Sequence, residues 1–217
     1  VLTTLQERIL RVVADLPEAT GFALAGGAAL IVHGIVERPT RDLDFFSAHG
    51  EDVTRLLPAL EAALATEGLS ITVDRAEPGF ARLTVGDGAD VTIVDLSHDF
   101  RLRPPVSTPF GPVISEEELG ADKMLALFSR AEERDFIDVF HLARRLGLDR
   151  LCELASAKDP GFSRPRLAEA VGRFDRFDRD GFEISDGAFA AVSQWVRELR
   201  VELDPPTPGP EPPGLSL

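Results

Sequence analysis

Tyrosine is absent from the 217 residues, and cysteine, methionine and tryptophan occur once each. A lone cysteine, Cys152, excludes an internal disulfide and a cysteine-rich zinc site. No apolar run approaches the ~20 residues needed to span a bilayer. No basic-then-apolar leader with a small-residue cleavage site is present either, so the expectation is a soluble cytoplasmic protein with no membrane partner. The four histidines show no metal-ligand spacing, and neither a Walker A loop nor a Gly-X-Ser-X-Gly elbow occurs. Positive charge is the other scarcity: 23 Lys and Arg against 37 Asp and Glu give a formal net charge of −14. Nucleic-acid affinity comes largely from basic side chains on phosphates, so any nucleic-acid role must use a local basic patch. The acidic excess suits a solvated surface and equally a carboxylate-built cation site.

What remains is an ordinary globular balance, 44% apolar and 28% charged. Apolar periodicity predicts helices over 3–16, 28–36 and 53–67, the last despite Pro58. Short strands are expected at 21–25, 43–46, 71–74, 81–85 and 90–96, the last two joined by the hairpin signal Gly86-Asp87-Gly88-Ala89. After Pro104-Pro105 the pattern turns almost wholly helical: Ser115 with Glu118 reads as a capping box, and helices follow over 131–146, 149–157, 166–174 and 186–203. The expected class is α+β, a mixed β-sheet core with flanking helices followed by a C-terminal helical region. Its parts are an α/β core over 1–110, a helical region over 111–203 that completes a cleft, and a Pro-rich disordered tail over 204–217.

Three features in fixed order carry chemistry. Gly26-Gly27-Ala28 sits where a strand turns into a helix, where backbone N–H groups can approach a phosphate. Asp42-Leu43-Asp44 follows on a strand, so both carboxylates share one face. Two such carboxylates repel unless a cation lies between them, and Mg²⁺, with Mn²⁺ as an alternative, takes oxygen ligands of this kind. Asp95, on a later strand, adds a third carboxylate, as a metal ligand or as a base for an attacking hydroxyl. In the helical half Lys123, Arg130 and Arg134 recur at seven and four residues and can line one side, with Asp135 and Asp138 orienting Arg134 or Lys123. Arg38 reads either as a phosphate contact or as charge balance for Asp42 or Asp44. His33, inside an apolar helix, reads as a hydrogen-bonded structural residue.

The run Gly26-Gly27-Ala28-Ala29-Leu30, His33-Gly34, Arg38, Thr40, Asp42-Leu43-Asp44-Phe45, Lys123 to Leu127, Arg130 and Arg134-Asp135-Phe136-Ile137-Asp138 resembles the AbiEii/AbiGii toxin family. These are nucleotidyltransferase-like toxins of type IV toxin–antitoxin systems, within the superfamily of DNA polymerase β. The resemblance spans about Phe22 to Leu146. It implies the nucleotidyltransferase fold and transfer of a nucleotide from NTP with Mg²⁺ to an RNA acceptor such as tRNA, with a cognate antitoxin as partner. Carried onto this chain, Gly26 and Gly27 face the triphosphate, Asp42 and Asp44 hold metal, Lys123 contacts phosphate, and Asp135 and Asp138 form the last acidic motif. Ala28 stands where the family often has Ser or Thr, so a hydroxyl donor is absent and the backbone N–H groups remain. Two further readings stay open: a nucleotidyltransferase acting on a small molecule or protein, and a non-catalytic interaction protein of this fold.

Overall fold

A computed structural model of the chain describes residues 1–203; the expected tail, 204–217, lies outside the described residues. Strands β1 (Phe22–Ala25), β2 (Asp42–Ser47), β3 (Ser70–Glu77), β4 (Phe80–Gly86), β5 (Val91–His98), β6 (Val106–Thr108) and β7 (Gly111–Val113) form one mixed sheet in the order β3-β4-β5-β2-β1-β7-β6. The central pair β2–β5 is parallel, and β1 runs antiparallel to β2. Along β2, Leu43 and Phe45 enter the core while Asp42 and Asp44 project from the opposite face, the alternation that a strand imposes. Helices α1 (Thr4–Asp15) and α3 (Glu51–Thr66) cover the core face. α1 buries Leu5, Ile9, Leu10 and Val13, and α3 buries Val53, Leu56, Leu60 and Leu64, both at helical spacing. α3 passes through Pro58, which lies on its solvent side.

Helix α2 (Gly26–Val32) differs from its expected span. It starts on the glycine pair itself and ends four residues early, because Gly34 takes a left-handed φ of +64° that closes the helix. The His33 ring there bonds the Ile114 carbonyl at 2.8 Å. The hairpin β6–β7 falls in the proline-rich stretch at the expected boundary, where no strand was expected. β7 pairs in parallel with β1, so the sheet continues past residue 110. Pro104, Pro105, Pro109 and Pro112 in and around the hairpin suppress the strand signal; the edge strand β6 itself holds none, and Pro112 lies in β7 between β6 and β1.

The second half holds α4 (Glu116–Ser129), α5 (Glu133–Leu146), α6 (Leu148–Lys158), α7 (Arg164–Val171) and α8 (Asp186–Leu203). Ser115 caps α4 by accepting the Glu118 N–H, but the Glu118 side chain does not return to complete a capping box; it accepts the N–H groups of Leu102 and Arg103 instead. α5 begins only at Glu133, since Ala131 adopts a φ of +51° and breaks it from α4. Phe136, Phe174, Phe182 and Phe189 pack ring against ring under α5 and α8. No described helix is long and apolar enough to cross a membrane.

Candidate active site

The carboxylates of β2 stand at the centre of the sheet. Asp44 lies opposite Ala25 of β1 on one side and Asp95 of β5 on the other. Because Gly26 follows Ala25 directly, the turn into α2 passes over Asp44. Gly26 adopts a φ of +59°, and a Cβ there would overlap the Asp44 Oδ2 atom, so only glycine fits. At Gly27 a Cβ would stand 2.7 Å from the Thr40 hydroxyl. That hydroxyl donates to Asp42 Oδ1 at 2.8 Å and fixes its rotation. Ala28, by contrast, is wholly buried, its side chain packed in the core.

Asp44 has no hydrogen-bond or ion-pair partner among the described residues. Burial first, then repulsion from Asp42, pushes its carboxyl up to about 6; Lys123 and Arg134 oppose this and Asp95 adds to it. Asp95 is satisfied differently. It lies opposite Arg82 in the β4–β5 ladder, and the guanidinium clamps both its oxygens, Nε to Oδ1 at 2.8 Å and Nη2 to Oδ2 at 2.6 Å. The hydrogen bond to Asp95 raises Arg82 above its usual range. The sequence reading placed no cation on Asp95, although the signal was present: with the hairpin closed at Gly86 and Val91, counting four residues back and four forward makes Arg82 and Asp95 partners.

Facing the carboxylates, α4 and α5 supply the cations. Lys123 reaches Asp138 at 3.0 Å, and Arg38 forks onto the same carboxylate at 3.0 and 2.8 Å. Burial pushes Asp138 up, but Lys123 and Arg38 together hold it below the ordinary carboxylate range. Asp138 thus orients Lys123 as expected, while Arg38 balances Asp138 and neither Asp42 nor Asp44. Asp135 holds Arg130 in a fork of 2.9 and 2.8 Å, a pairing the sequence reading assigned elsewhere. Arg134 bonds Glu132 and approaches Asp42 at 3.9 Å. Gly27, Arg38, Thr40, Asp42, Asp44, Lys123, Arg130 and Arg134 line one polar cleft of about 90 Å³. It adjoins a second cavity of about 240 Å³, which shares Arg38, Thr40, Asp42 and Arg134 and is walled by Ile137, Phe182 and Glu183.

The family model described as the nucleotidyl transferase AbiEii toxin of type IV toxin–antitoxin systems matches residues 8–190. The chain belongs to the AbiEii family. As a member it is a nucleotidyltransferase of the toxin class. Among solved structures, one from Helicobacter pylori described as a nucleotidyltransferase is similar at a TM-score of 0.57 and 16% identity, over 91% of this chain and 94% of the other. JHP933 of Helicobacter pylori is similar at 0.57 and 18%, over 91% of both chains. The nucleotidyltransferase toxin MenT4 of Mycobacterium tuberculosis H37Rv is similar at 0.52 and 19%, over 91% of this chain and 81% of that one. At these identities the likeness is one of fold. A comparison with the curated proteins found no match.

Does this AbiEii chain offer a place for a divalent cation? Asp42 and Asp44 set hard oxygen donors side by side, and Asp44 has no hydrogen-bond or ion-pair partner among the described residues, which fits Mg²⁺. Asp95 stands next to them but is engaged by Arg82. Elsewhere, Asp99, Glu118 and Asp122 bring carboxylate oxygens within 4.8 Å of one another. There the Lys158 ammonium bonds all three, Asp99 at 2.8 Å, Glu118 at 2.7 Å and Asp122 as well, so a protein cation already fills the position.

Proposed function

We propose that this toxin transfers a nucleotidyl group from an NTP to an RNA hydroxyl in the cytoplasm, tRNA being the foremost acceptor, and that a cognate antitoxin restrains it. The observation that carries this is the unpaired Asp44 beside Asp42, tucked under a glycine turn and facing Lys123, Arg130 and Arg134. Asp42 and Asp44 would hold Mg²⁺, or Mn²⁺ in its place; when bound, the metal supplies charge stabilisation to the reacting phosphate. The Gly27 backbone lets the triphosphate approach closely, and Lys123, Arg130 and Arg134 offset its negative charge. Asp138 and Asp135 act by holding Lys123, Arg38 and Arg130 in place. The acceptor oxygen attacks the α-phosphorus, the bond from phosphorus to the pyrophosphate oxygen breaks, and the hydroxyl proton passes to Asp95. Pyrophosphate leaves.

Incorporation of α-labelled NTP into total RNA tests the reading. Asp44→Ala should lower labelling roughly 100-fold or more, the scale of losing a principal electrostatic group. Equal labelling by wild type and variant would refute it. The charge of −14 favours a second reading, transfer to a small or protein acceptor, since most of the surface repels RNA. That reading is supported if NTP is consumed and RNA stays unlabelled.

A further inference from the structure

We propose that Arg82 is the residue that receives an acceptor phosphate: single-stranded RNA lies on the open sheet face beside the cleft, and Arg82 leaves Asp95 for an RNA phosphate, freeing Asp95 for the hydroxyl proton. This rests on the RNA reading above.

Three observations lead to it. First, the face that carries Asp42, Asp44 and Asp95 continues across β4 and β3, while α1 and α3 cover the other side. Strand alternation puts Phe80, Arg82 and Thr84 on the side of Asp95, and β3 is exposed along nearly its whole length. Secondly, Arg82 is not a buried structural cation: its side chain is 48% exposed, although the carboxylate it holds is only 11% exposed. An Arg fork fits carboxylate and phosphate with the same paired N–H geometry, so exchanging one for the other keeps both hydrogen bonds. Thirdly, Arg82 belongs to a planar group. The Arg75 and Arg82 guanidiniums lie 5.3 and 5.9 Å from the Phe80 ring centroid. Unpaired RNA bases stack on aromatic rings and on guanidinium planes; Phe80 and Arg82 stand on β4, next to the strand bearing Asp95, and Arg75, forked onto Glu77, stands on β3 beyond it.

The exchange couples acceptor arrival to chemistry. While the fork is in place, Asp95 is neutralised and both its oxygens are engaged. When an RNA phosphate draws Arg82 away, the carboxylate is released next to the hydroxyl whose O–H bond must break. Without RNA, Asp95 stays clamped and NTP is protected from transfer to water.

Three readings on purified full-length chain test this: NTP binding by calorimetry, labelling of total RNA, and pyrophosphate release without RNA. In Arg82→Ala the KM for RNA should rise about tenfold or more, the worth of a charged hydrogen-bonded contact, while NTP binding stays as in wild type. RNA-free pyrophosphate release should increase, which loss of a merely structural residue would not produce. Arg82→Lys should recover part of the RNA affinity, and Phe80→Ala should weaken RNA with no gain in RNA-free release. An unchanged KM for RNA in Arg82→Ala, or RNA-free release that stays level or falls, overturns the proposal alone. Wild type that consumes NTP and never labels RNA overturns the RNA reading and the proposal with it.

Discussion

Glycine at position 26 has a reason that glycine at 187 lacks. Gly26 combines a left-handed φ with a carboxylate where its Cβ would go, whereas Gly187, in the first turn of α8, faces open space. Gly26→Ala should therefore cost about 1–2 kcal/mol from backbone strain alone and, by displacing Asp44, abolish nucleotide transfer. Gly187→Ala should leave transfer intact and raise stability by roughly 0.5–1 kcal/mol, since alanine restricts the unfolded chain. Urea titrations with the labelling assay check both; a Gly26→Ala protein with normal transfer would remove the glycine turn from the site. This residue was legible in the sequence because a glycine pair between a strand and a helix is conspicuous, and Asp42 with Asp44 is conspicuous for its period of two. Arg82 was not: nothing about an isolated arginine marks it until the register of its hairpin is counted out. Nor were the partners of Arg38 and Arg130. They depend on which side of α5 turns inward, and Asp135 and Asp138, expected to orient Arg134 or Lys123, are both wholly buried, Asp135 on Arg130 and Asp138 on Arg38 with Lys123.

At the scale of elements, the two halves are tied by a knot of charge that no local pattern announces. Lys158 ends α6; it meets Glu118 and Asp122 from α4 and Asp99 from just beyond β5, while Glu118 also takes the Leu102 and Arg103 N–H groups. One ammonium serves three carboxylates. Lys158 is consequently held charged, its value raised by Asp122 against the pull of burial. Asp122 is left undercompensated: burial pushes it up to about 6 although Lys158 draws it down, and its Oδ2 is buried without a partner. The native chain thus keeps a proton on Asp122 that the unfolded chain releases near 3.8. Stability from this group is undiminished below that value, falls as pH rises towards 6, and has fully lost its share above it. Relative to wild type, Asp122→Asn should gain about 2–3 kcal/mol between pH 4 and pH 7, read from urea midpoints at the two pH values. The same difference at both would mean that Asp122 titrates normally. Lys158→Met, which strands three acids without a cation, should cost about 3–5 kcal/mol. Elements with one long apolar stripe, α1, α3 and α8, were readable in advance. β6 and β7 were hidden by the prolines in and around them, and the knot by its assembly from three segments, 99–103, α4 and the end of α6.

For the whole molecule the deciding quantity is charge. A surface at −14 repels RNA over most of its extent, so an RNA acceptor must be held by the few cations around the site. Several of these are already spent: Arg38 and Lys123 on Asp138, and Arg130 on Asp135. Arg41, Arg75, Arg82 and Arg134 are more exposed but are also paired, with Glu183, Glu77, Asp95 and Glu132 in turn, so a backbone phosphate must displace a carboxylate at each. Single-stranded nucleic acid loses affinity with a slope of about −0.7 per neutralised phosphate in a plot of log affinity against log salt. Two or three contacts then predict a slope near −2, and roughly a tenfold rise in the KM for RNA from 50 to 200 mM salt. Removing Arg82 should make that slope shallower by about one contact. NTP binding should respond less steeply if, as proposed, its phosphates enter the polar cleft, whose partly buried charges salt screens weakly. The measurement is RNA labelling across a salt series in wild type and Arg82→Ala, with calorimetric NTP binding alongside. A flat KM in both proteins would mean that phosphates do not hold the acceptor, and would move the toxin's target from RNA to an uncharged molecule.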